Sequence, residues 1–160
     1  MPRRALGKKT SLVVSMVLFV MATYNVLTLT FLSYDIFAHM VVNLIFVLPL
    51  SFILYSSTKR DVNKIPWYDY ILAVVSAIPP LLLYLNYGSW VYERMWFASA
   101  VTTEQLVLGT LLIAFVIEAT RRCGGTLLAL LTLFFLVFLY LGPYIPPPLT
   151  HKGMRFDRII

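Results

Sequence analysis

The sequence predicts an all-α integral membrane protein of about five transmembrane helices, with an interfacial amphipathic segment between the third and the fourth. Three observations predict it. Of 160 residues, 60% are hydrophobic and 12% are charged, about half the charged share of a soluble domain. The apolar residues lie in long blocks joined by short polar links, and about 20 such residues cross the roughly 30 Å hydrocarbon core. No block alternates apolar and polar positions as the strands of a membrane barrel do.

The first block, Ser11 to Ser33, follows a basic start with Arg3, Arg4, Lys8 and Lys9. It is too long for the roughly 7–15 residue apolar region of a secretory signal, and no small-residue cleavage site follows. It reads as spanning segment one. Asp35 lies in the link to segment two, Phe37 to Ser57, which carries His39 and Asn43 near its outer end and Pro49 midway. His39 is close enough to the interface to be read as hydrated. The polar loop Thr58 to Pro66 holds Lys59, Arg60 and Lys64. Pro66 then opens segment three, Trp67 to Tyr87, with Trp67, Tyr68 and Tyr70 as interfacial aromatics. Pro79 and Pro80 inside it predict a kink or break.

Gly88 to Thr103 interleaves Trp90, Tyr92, Trp96 and Phe97 with Glu93 and Arg94. It is too polar to span and too aromatic for a free loop, so it reads as the interfacial segment. Segment four runs from Thr102 to Arg121 and spans if Glu104, Gln105 and Glu118 sit at the interfaces. Segment five is Thr126 to Leu141, stopped by Gly142-Pro143 and the prolines 146–148.

Charge placement orients these segments. With the N-terminus inside, the inner stretches hold Arg3, Arg4, Lys8, Lys9, Lys59, Arg60, Lys64, Arg121 and Arg122, nine of the 13 basic residues. The positive-inside rule then puts the N-terminus in the cytoplasm, and five spans put the C-terminus outside. Lys152, Arg155 and Arg158 in the tail pull the other way, and they would lie inside if segment four or five did not span. The net charge of +6 follows from this loop bias, with no nucleic acid among the expected partners.

The strongest local pattern is Val116-Ile-Glu-Ala-Thr-Arg-Arg-Cys-Gly-Gly125, a cytoplasmic corner between segments four and five. On a helix Glu118 reaches Arg121 at i+3 and Arg122 at i+4, and the glycines let the helix stop and the chain turn back. The trio reads either as a docking or register-setting ion pair, or as an interfacial intrahelical pair with snorkelling arginines. As an exposed pair it is worth only a few tenths of a kcal/mol.

No metalloprotease, nucleophile-elbow or phosphate-loop pattern is present. One cysteine, Cys123, and two distant histidines, His39 and His151, give no disulfide framework and no metal-ligand spacing. No catalytic residue, cofactor or metal is therefore expected. Every acidic residue falls at a predicted loop or interface. A transporter binds its cargo near the midplane at paired helix breaks, and Pro79-Pro80 has no paired counterpart.

Several motifs resemble one family. Ile117-Glu-Ala-Thr-Arg-Arg-Cys-Gly124 resembles the LEATRR..G signature of fused permeases of tripartite ATP-independent periplasmic (TRAP) transporters of the TAXI type. Ala38-His-Met-Val-Val-Asn-Leu-Ile-Phe46 is similar to that family's second helix, and Pro66-Trp-Tyr-Asp69 to its P..D helix start. Tyr140-Leu-Gly-Pro-Tyr-Ile-Pro146 and Leu149 to Ile160 resemble its Y..GP..P…L.H.G…..I exit. The likeness covers Phe37 to Ile160, and segment one matches only in hydrophobicity. Tyr55-Ser-Ser departs from the family's Tyr-Pro.

The resemblance implies the small membrane (Q) component, or the N-terminal Q region of a fused permease. Residues 1–125 would form the four-helix Q region, and residues 126–160 a linker-like fifth helix with a periplasmic tail. The implied partners are the large membrane (M) transport subunit, a periplasmic TAXI-type substrate-binding protein and membrane lipid. The large subunit would carry the transport sites, and this chain would brace it in a bacterial inner membrane during uptake of small organic anions or amino acids. Glu118, Arg121, Arg122, Gly124 and Asp69 are the expected interface residues. The alternative is a small integral-membrane enzyme or assembly factor, which needs polar groups such as Glu118, Asp69 and His39 to converge in one cavity.

Overall fold

Long apolar blocks with their backbone polar groups satisfied internally leave helix as the only economical conformation in lipid, and helices are what form. The computed structural model of the chain describes residues 4–31, 35–57, 65–92, 101–144, 146 and 152–153. The helices are α1 (Lys8–Thr30), α2 (Ile36–Leu54), α3 (Trp67–Leu85), α4 (Thr103–Gly124) and α5 (Thr126–Leu141). A π-helical turn, Gly88–Tyr92, follows α3, and a 3-10 turn, Gly142–Tyr144, follows α5. Among the described residues four stretches are long and apolar enough to cross a membrane: Lys8–Thr30, Ile36–Leu54, Trp67–Leu85 and Thr126–Tyr144. That is compatible with a multi-pass membrane protein. Helix α4, with Glu104 in its first turn and Arg121 and Arg122 in its last, is outside that group of four.

The chain divides into two compact units, Met1–Ser99 and Ala100–Ile160. Helix α4 therefore groups with α5, across the boundary at 125/126 that the resemblance implies.

In the first unit α2 and α3 form a hairpin with seams of heptad spacing. Ala38, Val41, Leu48 and Phe52 are buried on α2, and Asp69, Ala73, Ser76 and Pro80 on α3. This 3-4 alternation is the pattern of left-handed helix packing. Between lipid-embedded helices there is little hydrophobic drive, so close approach over small residues carries the contact. Ala38, Ala73, Ser51 and Ser76 supply it. The two buried hydroxyls donate within their own helices, Ser51 Oγ to Leu48 O at 2.7 Å and Ser76 Oγ to Ala73 O at 3.0 Å, so neither is left unsatisfied. The outward face of α3 carries Trp67, Tyr70, Ile71, Val74, Ile78, Leu81 and Leu85, all exposed.

Of the kink or break expected at Pro79-Pro80, the break does not occur. Helix α3 runs through both prolines, which are buried on the hairpin side. Each removes one helical N–H, and the flanking turns continue the helix past the pair. Helix α2 ends earlier than expected, at Leu54, because Tyr55 is extended (φ −112°, ψ 132°). The first five residues of the expected interfacial segment form the π-helical turn, and residues 93–100 lie outside the described residues.

Helix α1 contacts the hairpin along one narrow line. Its less exposed residues are Thr10, Val14, Val17, Met21, Tyr24, Asn25 and Thr28, and only Val14 and Thr28 are buried. Apart from Asn25 these recur every three or four positions, the strict a/d stripe of a coiled-coil seam.

In the second unit Gly125 (φ 91°, ψ 168°) separates α4 from α5 without a loop. Ala119 and Ala129 are buried beside this corner. At the far end Gly153 (φ 65°) lies against the 3-10 turn. A Cβ there would come within 2.5 Å of Pro143 Cδ, so the Gly-Pro and His-x-Gly parts of the exit motif meet in space at Pro143 and Gly153.

Candidate functional site

Asp69 occupies the third position of α3, where a carboxylate faces the partial positive charge of the helix N-terminus. It is fully buried (0% exposed) within the first unit. Its partner is Arg4, whose Nη2 donates to Asp69 Oδ2 across 65 positions of sequence. The same guanidinium donates from Nη1 to Phe52 O at 3.1 Å and Ile53 O at 3.3 Å. The Arg4 backbone N–H donates to Leu54 O at 2.9 Å. The last carbonyls of a helix lack partners within it and carry partial negative charge. Arg4 thus caps the end of α2 while neutralising the start of α3. The order is carbonyl end, guanidinium, carboxylate, amide end, with the sign alternating at every step.

The opposite end of the hairpin is tied by a second carboxylate. Asp35 caps α2, accepting from the Phe37 N–H at 3.2 Å, and its Oδ2 accepts from the buried Tyr87 hydroxyl. The α2–α3 hairpin is therefore fastened at both ends by an aspartate from one segment and a donor from another.

The arginine corner forms as its spacing predicts. Glu118 Oε2 accepts from Arg121 Nε at 2.7 Å and Oε1 from Arg121 Nη2 at 2.7 Å, a bidentate fork. Oε1 also accepts from Arg122 Nε at 2.8 Å. One carboxylate faces two cations, and the C-terminal carbonyls of α4 offset part of the excess. The two arginines differ in surroundings. The side chain of Arg121 is 28% exposed, that of Arg122 only 4%. Arg121 is thus half-buried and nearer to an exposed pair, whereas Arg122 is buried. Arg121→Ala is expected to cost about 0.5 kcal/mol, as for an exposed pair. Arg122→Ala is expected to cost about 1.5–3 kcal/mol, the range for a hydrogen bond to a charged group. Thermal unfolding of the two variants in detergent checks the contrast, and equal shifts would contradict it.

The two glycines divide the work of the corner: Gly124 is the last residue of α4, and Gly125, at positive φ, makes the turn. Glu118, Arg121, Arg122 and Gly124 sit together on α4. Asp69 belongs to the first unit, with Arg4.

No family model, curated protein or solved structure matches this chain.

Two features escaped the sequence reading. Arg4 was counted only as one of several inner positive charges. Asn25, inside the first apolar block, was passed over although a carboxamide at that depth is itself a signal. Its Nδ2 donates to Met21 O at 2.8 Å and to Asn43 Oδ1 at 3.0 Å, and Asn43 Nδ2 donates to His39 O at 3.0 Å. This joins α1 to α2. His39, read as hydrated, instead stacks on Tyr24 with ring centroids 5.4 Å apart, and its Nδ1 is buried. Among the described residues no group of three or more His, Cys, Asp or Glu side chains could hold a metal ion.

Proposed function

We propose that this chain is the small membrane scaffold component of a TRAP-type secondary active transporter. In this role it braces a large transport subunit during binding-protein-dependent uptake of small organic anions or amino acids. The reading rests on the motif resemblance, above all the Glu-Ala-Thr-Arg-Arg corner and the Gly-Pro exit. One structural observation supports it. Asp35, Asp69 and Glu118 are each engaged by a donor from this same chain. Carboxylates committed to holding helices are what a strut needs, whereas a carrier keeps some for its cargo. In this reading α4 is the fourth span, with Glu118 at the inner interface, and α5 is the linker-like fifth. The protein sits in a bacterial inner membrane with its N-terminus cytoplasmic and its C-terminus periplasmic.

The test is co-expression with a TRAP-type large permease and a TAXI-type binding protein. The chain should co-purify with the permease, and uptake into proteoliposomes should require both. Solute uptake by this chain alone would defeat the proposal.

Sidedness is checked at Cys123, the one cysteine of the sequence. It is exposed at the corner, beyond the spanning part of α4. A membrane-impermeant maleimide should label it in inverted vesicles and not in right-side-out ones. Crowding at the helix end pushes its thiol above the ordinary value, against the opposing pull of the Arg122 charge. Only the thiolate reacts, and below the pKa its fraction rises with pH. Labelling should therefore speed up about tenfold per unit as pH is raised through neutrality. Labelling in right-side-out vesicles would invert the proposed orientation.

A further inference from the structure

The α1 seam is built unlike the hairpin beside it. Helix α2 buries six residues and α3 five, mostly apolar or small, while the 23-residue α1 buries two, Val14 and Thr28. Away from the seam α1 exposes large apolar side chains, including Leu12, Met16, Phe19, Val20 and Leu29. Exposed apolar side chains are content in lipid, so they do not press α1 onto the hairpin. Two polar fastenings do. Ahead of the helix, Arg4 is bound into the cleft between the end of α2 and the start of α3. Within the helix, Asn25 is bound to Asn43 at 3.0 Å.

The seam also carries an opposing element. The Tyr24 hydroxyl and His39 Nδ1 are both buried, and among the described residues neither has a partner in good hydrogen-bond geometry; the Thr28 side chain interacts with Tyr24 only weakly. Closing the seam takes these two atoms away from water or headgroups without a full hydrogen bond in return. Opening it would restore their partners. The fastenings and the orphaned atoms therefore act in opposite directions on the same contact.

We propose that α1 is a hinged strap: two polar latches, at Arg4 and at Asn25–Asn43, hold it closed against the unfavourable burial of Tyr24 and His39, so that it can open while the α2–α3 hairpin stays folded. The proposal concerns the first unit alone and does not depend on the scaffold reading.

Hydrogen–deuterium exchange of the full chain in detergent or nanodiscs tests it, read separately for α1, α2 and α3. Asn43→Leu removes one latch and leaves no buried charge. It should speed exchange in α1 about tenfold, with protection in α3 changed less than about twofold. Tyr24→Phe keeps the ring stacked on His39 and deletes the orphaned hydroxyl. It should slow exchange in α1, the opposite sign. If either variant changed α1, α2 and α3 alike, α1 would be an integral part of one cooperative body and the strap would be wrong. Faster exchange in Tyr24→Phe, or no change in either variant, would equally overturn it.

Discussion

Replacing Arg4 by alanine is expected to lower the stability of the first unit by about 3–5 kcal/mol, the cost of leaving a buried charge without its partner. The side chains of Arg4 and Asp69 are 1% and 0% exposed, so the pair has none of the solvent screening that reduces surface ion pairs to about 0–1 kcal/mol. Removing the guanidinium also strips the Phe52 and Ile53 carbonyls of a charged donor. Asp69→Ala should cost a similar amount by stranding the arginine. Replacing both together, Arg4→Met with Asp69→Leu, should recover most of the loss, because well-packed apolar groups can substitute for a buried pair. Thermal unfolding in one detergent compares the native protein with the two single variants and the double replacement. A loss of less than about 1 kcal/mol for Arg4→Ala would mean that the pair is screened, and the capped hairpin ends would lose their explanation.

The difference between Arg4 and Glu118 explains which parts of this protein could be read before its structure. Glu118, Arg121 and Arg122 lie within one turn of helix, so helical periodicity alone brings them together. Segment five could be bounded correctly at Thr126 and Leu141 because glycine stands at both ends and apolar residues fill the interval. Arg4 and Asp69 are separated by two whole helices, α1 and α2, and nothing local distinguishes Arg4 from Arg3, Lys8 or Lys9. Only the return of the chain along α2, which brings the end of α2 and the start of α3 back to Arg4, selects it. The α1 seam was hidden for another reason. In a soluble helix the buried face is the apolar one, whereas α1 is apolar nearly all round and its contact line is marked by Tyr24, Asn25 and Thr28. In lipid the polarity of the contact is reversed, and the useful signal is where the polar residues fall. Helix α3 shows the limit of reading proline as a break. Two consecutive prolines cost two helical N–H groups, but both lie on the packed side, and the helix on either side persists.

Gly125→Ala is expected to cost the second unit about 1–3 kcal/mol, as much as Arg122→Ala, because its backbone angles (φ 91°, ψ 168°) lie in a region essentially confined to glycine. Space is not the obstacle, since a Cβ at Gly125 meets nothing within 4 Å. The cost is entirely conformational, and no neighbouring side chain can relieve it by moving. Gly124 presents the reverse case. A Cβ there would come within 2.6 Å of Leu128 Cδ2, but that atom is the end of a flexible side chain and the backbone of Gly124 is helical. Gly124→Ala should therefore cost less than about 1 kcal/mol, since alanine also restores the helix propensity that glycine lacks. The two variants differ by one position and by the same single methyl group. Comparing their unfolding midpoints separates backbone strain from crowding as the reason the chain carries two glycines here. If Gly124→Ala proved the more harmful, the close approach of α4 to Leu128 would be the feature that glycine protects, and the reversal of direction at Gly125 would be secondary. If Gly125→Ala is the more harmful, the corner is set by one dihedral pair. The Glu118 cluster one turn earlier then depends on Gly125 for the direction in which α5 leaves it.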